Sequence, residues 1–305
     1  MHKLLTLLFF FAPLMASAAN PYDNPDTLFV AQDGSAPFHT IADAVEVCRA
    51  FMDYHKVIFI KKGTYHEKLI IPSWLTNIEL CGEDRDATII TWSDHANMPI
   101  PGTNQKMGTF RTFTVRVDGN AITLKNLTIE NNAPRLGQAV ALHTQGSHLV
   151  FRNCRFLGNQ DTVYTGGIGT SLLFDHCYIE GTTDFIFGPS EAWFQNCILY
   201  SKINSYITAA STPKGQARGY VFDHCTLTAA PGVTQCYLGR PWRPYAKTVF
   251  QYCDMGVHIR PEGWYNWNDP RNEKTAFYAE YKNTGKGYQP QSRVSWSHQL
   301  TGPVN

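Results

Sequence analysis

The sequence lacks the features that mark several common classes of protein. Its 305 residues carry a formal net charge of +1 and only 17% charged side chains, so no basic field indicates a nucleic-acid partner. None of the eight cysteines belongs to a Cys-x-x-Cys pair, which argues against a zinc cluster. A Gly-x-Ser-x-Gly elbow is missing, so an ordinary serine esterase is unsupported. After residue 19, no apolar run is long enough to cross a membrane.

The N-terminus predicts export. His2 and Lys3 precede an almost wholly apolar run from residue 4 to residue 14, and the small residues 16–19 follow it. This order is typical of a cleaved secretory signal peptide, and the run is short for a membrane span; a retained anchor helix is the alternative. We expect residues 1–19 to be removed near Ala19 or Asn20. Residues 20–305 are then expected to form a single domain, periplasmic or secreted, where an oxidising environment permits disulfides.

A short phrase recurs through the second half of the chain. Each copy has Phe, then a variable residue, then Asn, His or Tyr, and then Cys; the copies are residues 151–154, 174–177, 194–197, 222–225 and 250–253. The steps between their cysteines are 23, 20, 28 and 28 residues. Runs rich in β-branched and aromatic residues flank each copy, and Gly, Asn, Asp and Pro fill the gaps. Such a period with strands in every repeat predicts a solenoid.

Two solenoid architectures compete for this pattern. Leucine-rich repeats need a Leu-x-x-Leu-x-Leu frame, which is missing. We therefore predict an all-β fold, a right-handed parallel β-helix, with upstream coils at Lys56–Ile60, Thr76–Leu80 and Phe113–Val117. The open end of a solenoid exposes apolar core and needs a cap. The apolar residues of Ile41–Cys48 have helical spacing, so this segment is predicted to be a short N-terminal capping helix.

Two aspartates lie one repeat apart. Asp161 and Asp184 are separated by 23 residues, and Gln138 and Gln160 by 22. Neighbouring rungs of a parallel sheet lie about 4.8 Å apart, so this spacing places both carboxylates side by side. Two carboxylates at that distance do not ionise independently, so one acts as an acid while the other is a base or nucleophile. Each residue alone is compatible with a turn or a polar ladder; the joint spacing favours a catalytic site.

Five segments resemble, in this order, the signature motifs of the pectin methylesterase (pectinesterase) family. They are Gly63–Glu67, Gln138–Leu142, Gln160–Val163, Asp184–Gly188 and Leu238–Trp242. The resemblance covers roughly residues 26 to 298. It implies hydrolysis of the methyl esters of galacturonate units in pectin, which releases methanol and free carboxylate, with no metal or organic cofactor.

The resemblance also implies a role for each catalytic residue. Asp184 would be the nucleophile, and Asp161 the general acid and then base. Gln138 and Gln160 would donate hydrogen bonds to the oxyanion, and Arg240 would hold Asp184. A guanidinium beside Asp184 is expected to lower the pKa of that carboxyl, and the negative charge of Asp184 is expected to raise the pKa of Asp161.

Other residues are assigned to substrate binding. By the same resemblance Trp242 would line the sugar-binding cleft, and Thr114 and Tyr245 would contact substrate. The aromatic cluster 264–267 either extends that cleft or covers the last coils.

A further group is assigned to structure. In the first motif, Tyr65 and Glu67 are expected to support the fold. His176 and His224 are expected in turns or on the surface. Cys177 and Cys197 fall at equivalent places on neighbouring coils, so a disulfide is predicted between them, and the remaining cysteines are expected to be free and buried.

Two other functions fit a β-helix that acts on pectin. A pectate lyase would gather acidic residues around Ca²⁺, and a polygalacturonase would hold its carboxyls wider apart, at about 6.5–9.5 Å. A non-catalytic pectin-binding solenoid is the third possibility. The paired glutamines suit an oxyanion better than a glycosidic oxygen, so we favour an esterase that is a monomer and binds methyl-esterified pectin.

Overall fold

The chain folds into a solenoid of parallel strands. The structure, a computed structural model, describes residues 26–52 and 54–305, and the predicted signal peptide lies outside the described residues. In chain order the strands are β1 (Thr27–Val30), β2 (Lys56–Ile60), β3 (Gly63–His66), β4 (Leu69–Ile71), β5 (Ile78–Gly82), β6 (Thr88–Trp92), β7 (Val115–Val117), β8 (Thr123–Lys125), β9 (Thr128–Asn131), β10 (Leu142–Thr144), β11 (Leu149–Arg152), β12 (Arg155–Leu157), β13 (Val163–Thr165), β14 (Ser171–Asp175), β15 (Tyr178–Gly181), β16 (Ile186–Gly188), β17 (Glu191–Gln195), β18 (Ile198–Ser201), β19 (Tyr206–Ala210), β20 (Tyr220–Asp223), β21 (Thr226–Ala229), β22 (Tyr237–Gly239), β23 (Lys247–Gln251), β24 (Asp254–Met255), β25 (Phe277–Tyr281) and β26 (His298–Gln299).

Each of the seven coils between β2 and β22 contributes one strand to each of three sheets, and the coils at the two ends contribute fewer. Sheet 1 has the order β1-β2-β5-β8-β11-β14-β17-β20-β23-β25-β26, sheet 2 runs from β3 to β24, and sheet 3 has the order β4-β7-β10-β13-β16-β19-β22. Every strand pair in these sheets is parallel. The predicted parallel β-helix is confirmed. Residues 123–129, which are rich in β-branched and apolar side chains, are divided between β8 and β9 because Asn126 turns the chain at φ 54°.

The recurring phenylalanines form the core of the solenoid. Each ring lies face to face on the ring of the next coil, with centroids 4.4–4.6 Å apart. The column consists of Phe151, Phe174, Phe194, Phe222 and Phe250, and each of them is fully buried. Offset stacking of aromatic rings adds to the free energy gained by burying them, so the repeat observed in the sequence is a packing repeat.

The rest of the recurring phrase makes one corner of each coil. The residue before the cysteine adopts a left-handed conformation, with φ between 50° and 56°, at Asn153, His176, Asn196, His224 and Tyr252. Asn and His adopt this conformation more readily than most side chains. The side chains of His176 and His224 are 64% and 58% exposed, as expected of turn residues.

The predicted disulfide between Cys177 and Cys197 is absent from the described residues. Both residues are free and buried. The thiol of Cys177 donates a hydrogen bond to the carbonyl of Phe151, and that of Cys197 donates to the carbonyl of Phe174. The prediction was wrong because the corner repeats: each of these cysteines has a cysteine neighbour on either side, and each thiol already has an acceptor in the preceding coil.

A short helix covers the N-terminal end, as predicted. Helix α1 (Ile41–Glu46) buries Ile41, Ala44 and Val45. Glu67 accepts hydrogen bonds from the backbone N–H groups of Ile41 and Ala42, both at 2.9 Å. A carboxylate at a helix N-terminus satisfies unpaired N–H groups and complements the helix dipole.

The C-terminal end contains a buried ion pair. Arg293 makes two hydrogen bonds to Glu280, at 2.7 and 3.2 Å, and both side chains are at most 2% exposed. Arg293 also donates to the carbonyls of Arg260, Pro261 and Gly287. The guanidinium therefore ties the last coils together. Within the described residues no helix is long and apolar enough to span a membrane.

Glu67→Ala is expected to destabilise the fold by about 1–2 kcal/mol, the range for loss of an N-terminal cap, with little change in catalytic rate. Denaturant unfolding followed by circular dichroism measures this. Glu46→Ala removes an exposed carboxylate from the same helix and serves as the matched control. Equal unfolding midpoints for the two variants would contradict the capping role of Glu67.

Candidate active site

The two aspartates occupy equivalent positions on adjacent coils of sheet 3. Val163 pairs with Ile186, and Asp161 and Asp184 each precede their strand by two residues. The N–H of Asp161 donates to the carbonyl of Thr183 at 3.0 Å, which continues the ladder beyond the strand. Both aspartates have left-handed backbone conformations, with φ of 65° and 50°. The side-by-side placement predicted from the repeat is therefore confirmed.

Arg240 binds one of the two carboxylates through both of its oxygens. Its Nε donates to Asp184 Oδ1 at 2.9 Å and its Nη2 donates to Asp184 Oδ2 at 2.6 Å. The preceding Gly239 lies so close to Thr208 that a Cβ there would be 2.0 Å from the Thr208 hydroxyl. Glycine is therefore required for the chain to place Arg240 over Asp184.

An open cavity lies over this pair, with about 570 Å³ of empty space that includes part of the open solvent. It is lined by Thr109, Phe110, Gln138, Gln160, Asp161, Asp184, Phe187, Ala209, Arg240, Trp242 and Trp267. Gln138 and Gln160 come from consecutive coils, since the N–H of Ala139 donates to the carbonyl of Gln160. Neither glutamine side chain hydrogen-bonds to another group of the described residues. Both amides are therefore free to donate to a bound molecule.

The electrostatics of the two carboxyls differ. Burial and, secondarily, the charge of Asp184 raise the pKa of Asp161 well above its ordinary value, and Arg240 offsets only part of this. Burial also raises the pKa of Asp184, although the hydrogen bonds and charge of Arg240 oppose the shift. We expected a lowered pKa for Asp184; that expectation was wrong because burial outweighs the guanidinium. The pKa of Asp161 is raised further than that of Asp184, so Asp161 holds its proton more tightly.

The residues predicted to contact substrate lie in three different settings. Trp242 lines the cavity. Thr114 is fully buried, and its hydroxyl donates to the carbonyl of Glu130 at 2.8 Å, so the predicted contact with substrate is wrong. Tyr245 is half-buried outside the cavity lining, with the Lys214 ammonium 5.5 Å from its ring centroid.

Other cavity residues were not predicted from the sequence. Phe187 lies in β16 beside Ile186; Ile186 belongs to the core, whereas Phe187 lines the cavity. Phe110 comes from the loop before β7 and packs against Tyr164, with centroids 4.8 Å apart. The aromatic cluster divides: Trp264 is buried in the core, and Trp267 lines the cavity. Loop residues such as Phe110 and Trp267 have no spacing signal in the sequence.

The described residues contain no group of three or more His, Cys, Asp or Glu side chains that could hold a metal ion. The chemistry available in the cavity is that of two carboxyls, two amides and one guanidinium.

Comparisons with known proteins agree with one another. The Pectinesterase family model matches residues 27–302. Pectinesterase 31 of Arabidopsis thaliana is 37% identical over 280 residues, which cover 89% of this chain and 86% of that protein. Pectin methylesterase from carrot matches with a TM-score of 0.84 and 31% identity, over 90% of this chain and 88% of the other. A pectin methylesterase in complex with a hexasaccharide matches with a TM-score of 0.77 and 28% identity, over 93% and 94% of the two chains.

Asp161→Asn is expected to raise the thermal stability of the protein at neutral pH. The pKa of Asp161 is raised in the folded state, so the folded protein binds this proton more tightly than the unfolded chain does, and ionisation opposes folding. The stabilising effect of Asn should be small below the ordinary pKa of 3.8 and grow as the pH rises toward the folded-state pKa. We expect the melting temperature at pH 7 to rise by about 2 °C or more.

Asp184→Asn is the matched control for this measurement. It also replaces a buried aspartate in a left-handed conformation, which Asn tolerates well. It differs by leaving the guanidinium of Arg240 without its anionic partner, which is expected to lower stability. A melting temperature for Asp161→Asn equal to or below that of the wild type from pH 4 to pH 8 would show that ionisation of Asp161 does not destabilise the folded protein.

Proposed function

The chain belongs to the pectinesterase family and is a carboxylic ester hydrolase that acts on the methyl esters of pectin, and we propose that Asp184 is its nucleophile and Asp161 its proton donor. One observation carries this assignment of roles. Two buried carboxyls share a cavity with two unpaired glutamine amides, and the guanidinium of Arg240 binds only Asp184. The pair is thereby made unequal, with a carboxylate at Asp184 and a carboxylic acid at Asp161.

In the first step, a carboxylate oxygen of Asp184 attacks the carbonyl carbon of the galacturonate methyl ester. The carbonyl oxygen becomes an oxyanion, to which the side-chain N–H groups of Gln138 and Gln160 donate hydrogen bonds. Preorganised donors of this kind each contribute about 10²–10³ to the rate of acyl transfer. When the tetrahedral intermediate collapses, the bond to methoxide breaks, Asp161 gives its proton to that oxygen, and methanol leaves.

In the second step, the acyl group is a mixed anhydride between the galacturonate carboxyl and Asp184. Asp161, now ionised, takes a proton from water as the water attacks the galacturonate carbonyl. Collapse of this second intermediate releases the galacturonic acid unit, which then loses its proton to solvent, and restores the carboxylate of Asp184 and the acid of Asp161. Protons and electrons balance without a metal or an organic cofactor.

Arg240 keeps Asp184 oriented and ionised through this cycle. Two parallel N–H···O bonds fix the plane of the carboxylate and favour its charged form. Three aromatic side chains that line the cavity, Phe110, Trp242 and Trp267, supply flat apolar surfaces against which sugar rings pack. We infer that the polymer runs along the coils between these rings, with one esterified unit over the aspartates.

We also propose that the protein is exported as a single-domain monomer. The predicted signal peptide, residues 1–19, precedes the family match that starts at residue 27. The polymeric substrate favours action outside the cytoplasm, periplasmic or secreted. N-terminal sequencing of the exported protein is expected to start near Ala19 or Asn20, and an intact N-terminus in the exported protein would contradict cleavage.

Methanol release from highly methylated pectin, measured with EDTA present, tests the proposed chemistry. We expect full activity in the wild type and loss of at least about 10³-fold in kcat for both Asp184→Asn and Asp161→Asn, because each removes an essential proton or electron pair. Absorbance of unsaturated uronates and an assay of new reducing ends, on the same samples, should show no chain cleavage.

Asp175→Asn is the matched control, since Asp175 lies between the two aspartates in the sequence, on the coil of Asp184, but faces outward from sheet 1, beside Arg152 and His176. It is expected to leave methanol release unchanged. Wild-type rates for Asp184→Asn would overturn the nucleophile assignment, and loss of activity in EDTA would overturn the metal-free mechanism.

A further inference from the structure

Arg240 is held between two aromatic rings, and we propose that this clamp, made by Tyr206 and Trp267, positions the guanidinium that orients Asp184. The inference rests on the proposed role of Asp184 as nucleophile, and it assigns Tyr206 as a positioning residue. The clamp is defined here as the rings of Tyr206 and Trp267 on the two faces of the Arg240 guanidinium.

Both contacts are close. The guanidinium carbon of Arg240 lies 3.9 Å from the ring centroid of Tyr206 and 3.7 Å from that of Trp267. The two hydrogen bonds to Asp184 leave from one edge of the same planar group. A guanidinium donates only in its plane and stacks through its faces, so the rings fix its tilt while the edge remains free for the carboxylate.

Tyr206 belongs to the same outward column as the two aspartates. The N–H of Asp184 donates to the carbonyl of Tyr206, and Tyr206 pairs with Tyr237 on the following coil. The rings of Tyr206 and Tyr237 are stacked at 5.3 Å with an interplanar angle of 13°. The guanidinium of Arg260 lies 4.9 Å from the far ring, that of Tyr237. The first ring of the clamp is therefore supported from behind by the solenoid itself.

Trp267 reaches the other face through an unusual turn. Trp267 and Asn268 both have left-handed conformations, with φ of 61° and 57°, which a bulky side chain such as Trp rarely adopts. The hydroxyl of Tyr265 bonds to the side chain of Asn268, and the N–H of Asn268 donates to Asn266. A strained backbone conformation that surrounding contacts hold in place is typical of functional sites. Here the left-handed conformation of Trp267 places its indole over Arg240.

The clamp acts on catalysis through orientation. A tilt of the guanidinium out of the carboxylate plane would lengthen both hydrogen bonds to Asp184 at once, because they are parallel.

The titratable groups nearest to Asp184 and Arg240 are Asp161, Tyr206 and Tyr278, and Tyr237, Tyr265 and Arg260 lie beyond Tyr206. Asp184 and Asp161 are the only carboxyls among the groups named here, and Arg240 hydrogen-bonds to Asp184, so a change in the acid limb of the pH profile on substituting Tyr206 would report on Asp184.

Tyr206 is the better residue for a test than Trp267. Trp267 lines the cavity and is placed to touch substrate, whereas Tyr206 is absent from that lining. Tyr206→Leu removes the aromatic face but keeps an apolar side chain that excludes water. Tyr206→Phe keeps the face and removes only the hydroxyl. Tyr200→Leu is the matched control, since Tyr200 is a half-buried tyrosine of the same coil on sheet 2, away from Arg240.

The experiment measures the initial rate of methanol release as a function of pH, and the melting temperature, for each variant. We expect Tyr206→Leu to lower kcat roughly threefold to thirtyfold, the range that one cation–π contact supplies, with KM unchanged. The acid limb of its kcat profile should move to higher pH, because a loosened guanidinium stabilises the carboxylate of Asp184 less well. Tyr206→Phe and Tyr200→Leu should match the wild type.

Three results would overturn the clamp. Wild-type kcat and an unshifted acid limb in Tyr206→Leu, with Asp184→Asn inactive, would reject the clamp and leave the proposed function intact. Equal losses in Tyr206→Leu and Tyr206→Phe would assign the effect to the hydroxyl. A raised KM with unchanged kcat would make Tyr206 a substrate contact. Activity in Asp184→Asn would instead reject the proposed role of Asp184 as nucleophile, on which the clamp rests.

A double-mutant cycle separates action through Arg240 from a general structural effect. In an Arg240→Lys background the planar group is gone, so Tyr206→Leu should lower the residual kcat by less than about twofold. The same threefold to thirtyfold loss in both backgrounds would show that Tyr206 acts independently of Arg240, and the clamp would be rejected.

Discussion

Parallel stacking of the coils is the constraint on which the rest of this structure depends. Hydrogen bonds between neighbouring coils hold equivalent residues about 4.8 Å apart, so each position of the repeat becomes a column along the solenoid. The inward column of sheet 1 is a stack of phenylalanines, such as Phe174 on Phe194. The outward column of sheet 3 holds Asp161, Asp184 and then Tyr206. The same register therefore builds the core and the active site.

The stacked arrangement buries two carboxyls side by side, which makes it unfavourable for both to be ionised at once, and the site depends on this effect. Burial raises the pKa of both aspartates, which favours a proton on one of them. Arg240 binds only Asp184 and so decides which one ionises first. The buried pair Glu280–Arg293 has similar geometry but lies sealed in the last coils, where it ties the chain together. The comparison shows that access to a cavity, rather than the ion pair alone, separates a site that supports chemistry from one that supports folding.

Much of the architecture could be predicted because its signals are local and repeated. The phenylalanine–cysteine phrases marked the coils, and the helical spacing near Ile41 marked the cap. The predicted position of Trp242 followed from a motif. The errors concern properties that spacing does not encode. Thr114 is buried, and its hydroxyl donates a hydrogen bond to the backbone carbonyl of Glu130. The cysteines remain free because a backbone carbonyl in the column accepts a hydrogen bond from each thiol.

The sequence by itself determined the coil repeat, the side-by-side aspartates and the residues available to the chemistry, because a repeat of fixed length converts spacing along the chain into neighbourhood in space. Only the tertiary structure decided the balance of forces at the site. Burial outweighs Arg240 in the pKa of Asp184, which no motif reveals, since burial sums contributions from many coils. The tertiary structure also brings Tyr206 and Trp267, which are 61 residues apart in the sequence, onto the two faces of the Arg240 guanidinium. A loop outside the repeat has no register, so its position is set by packing alone.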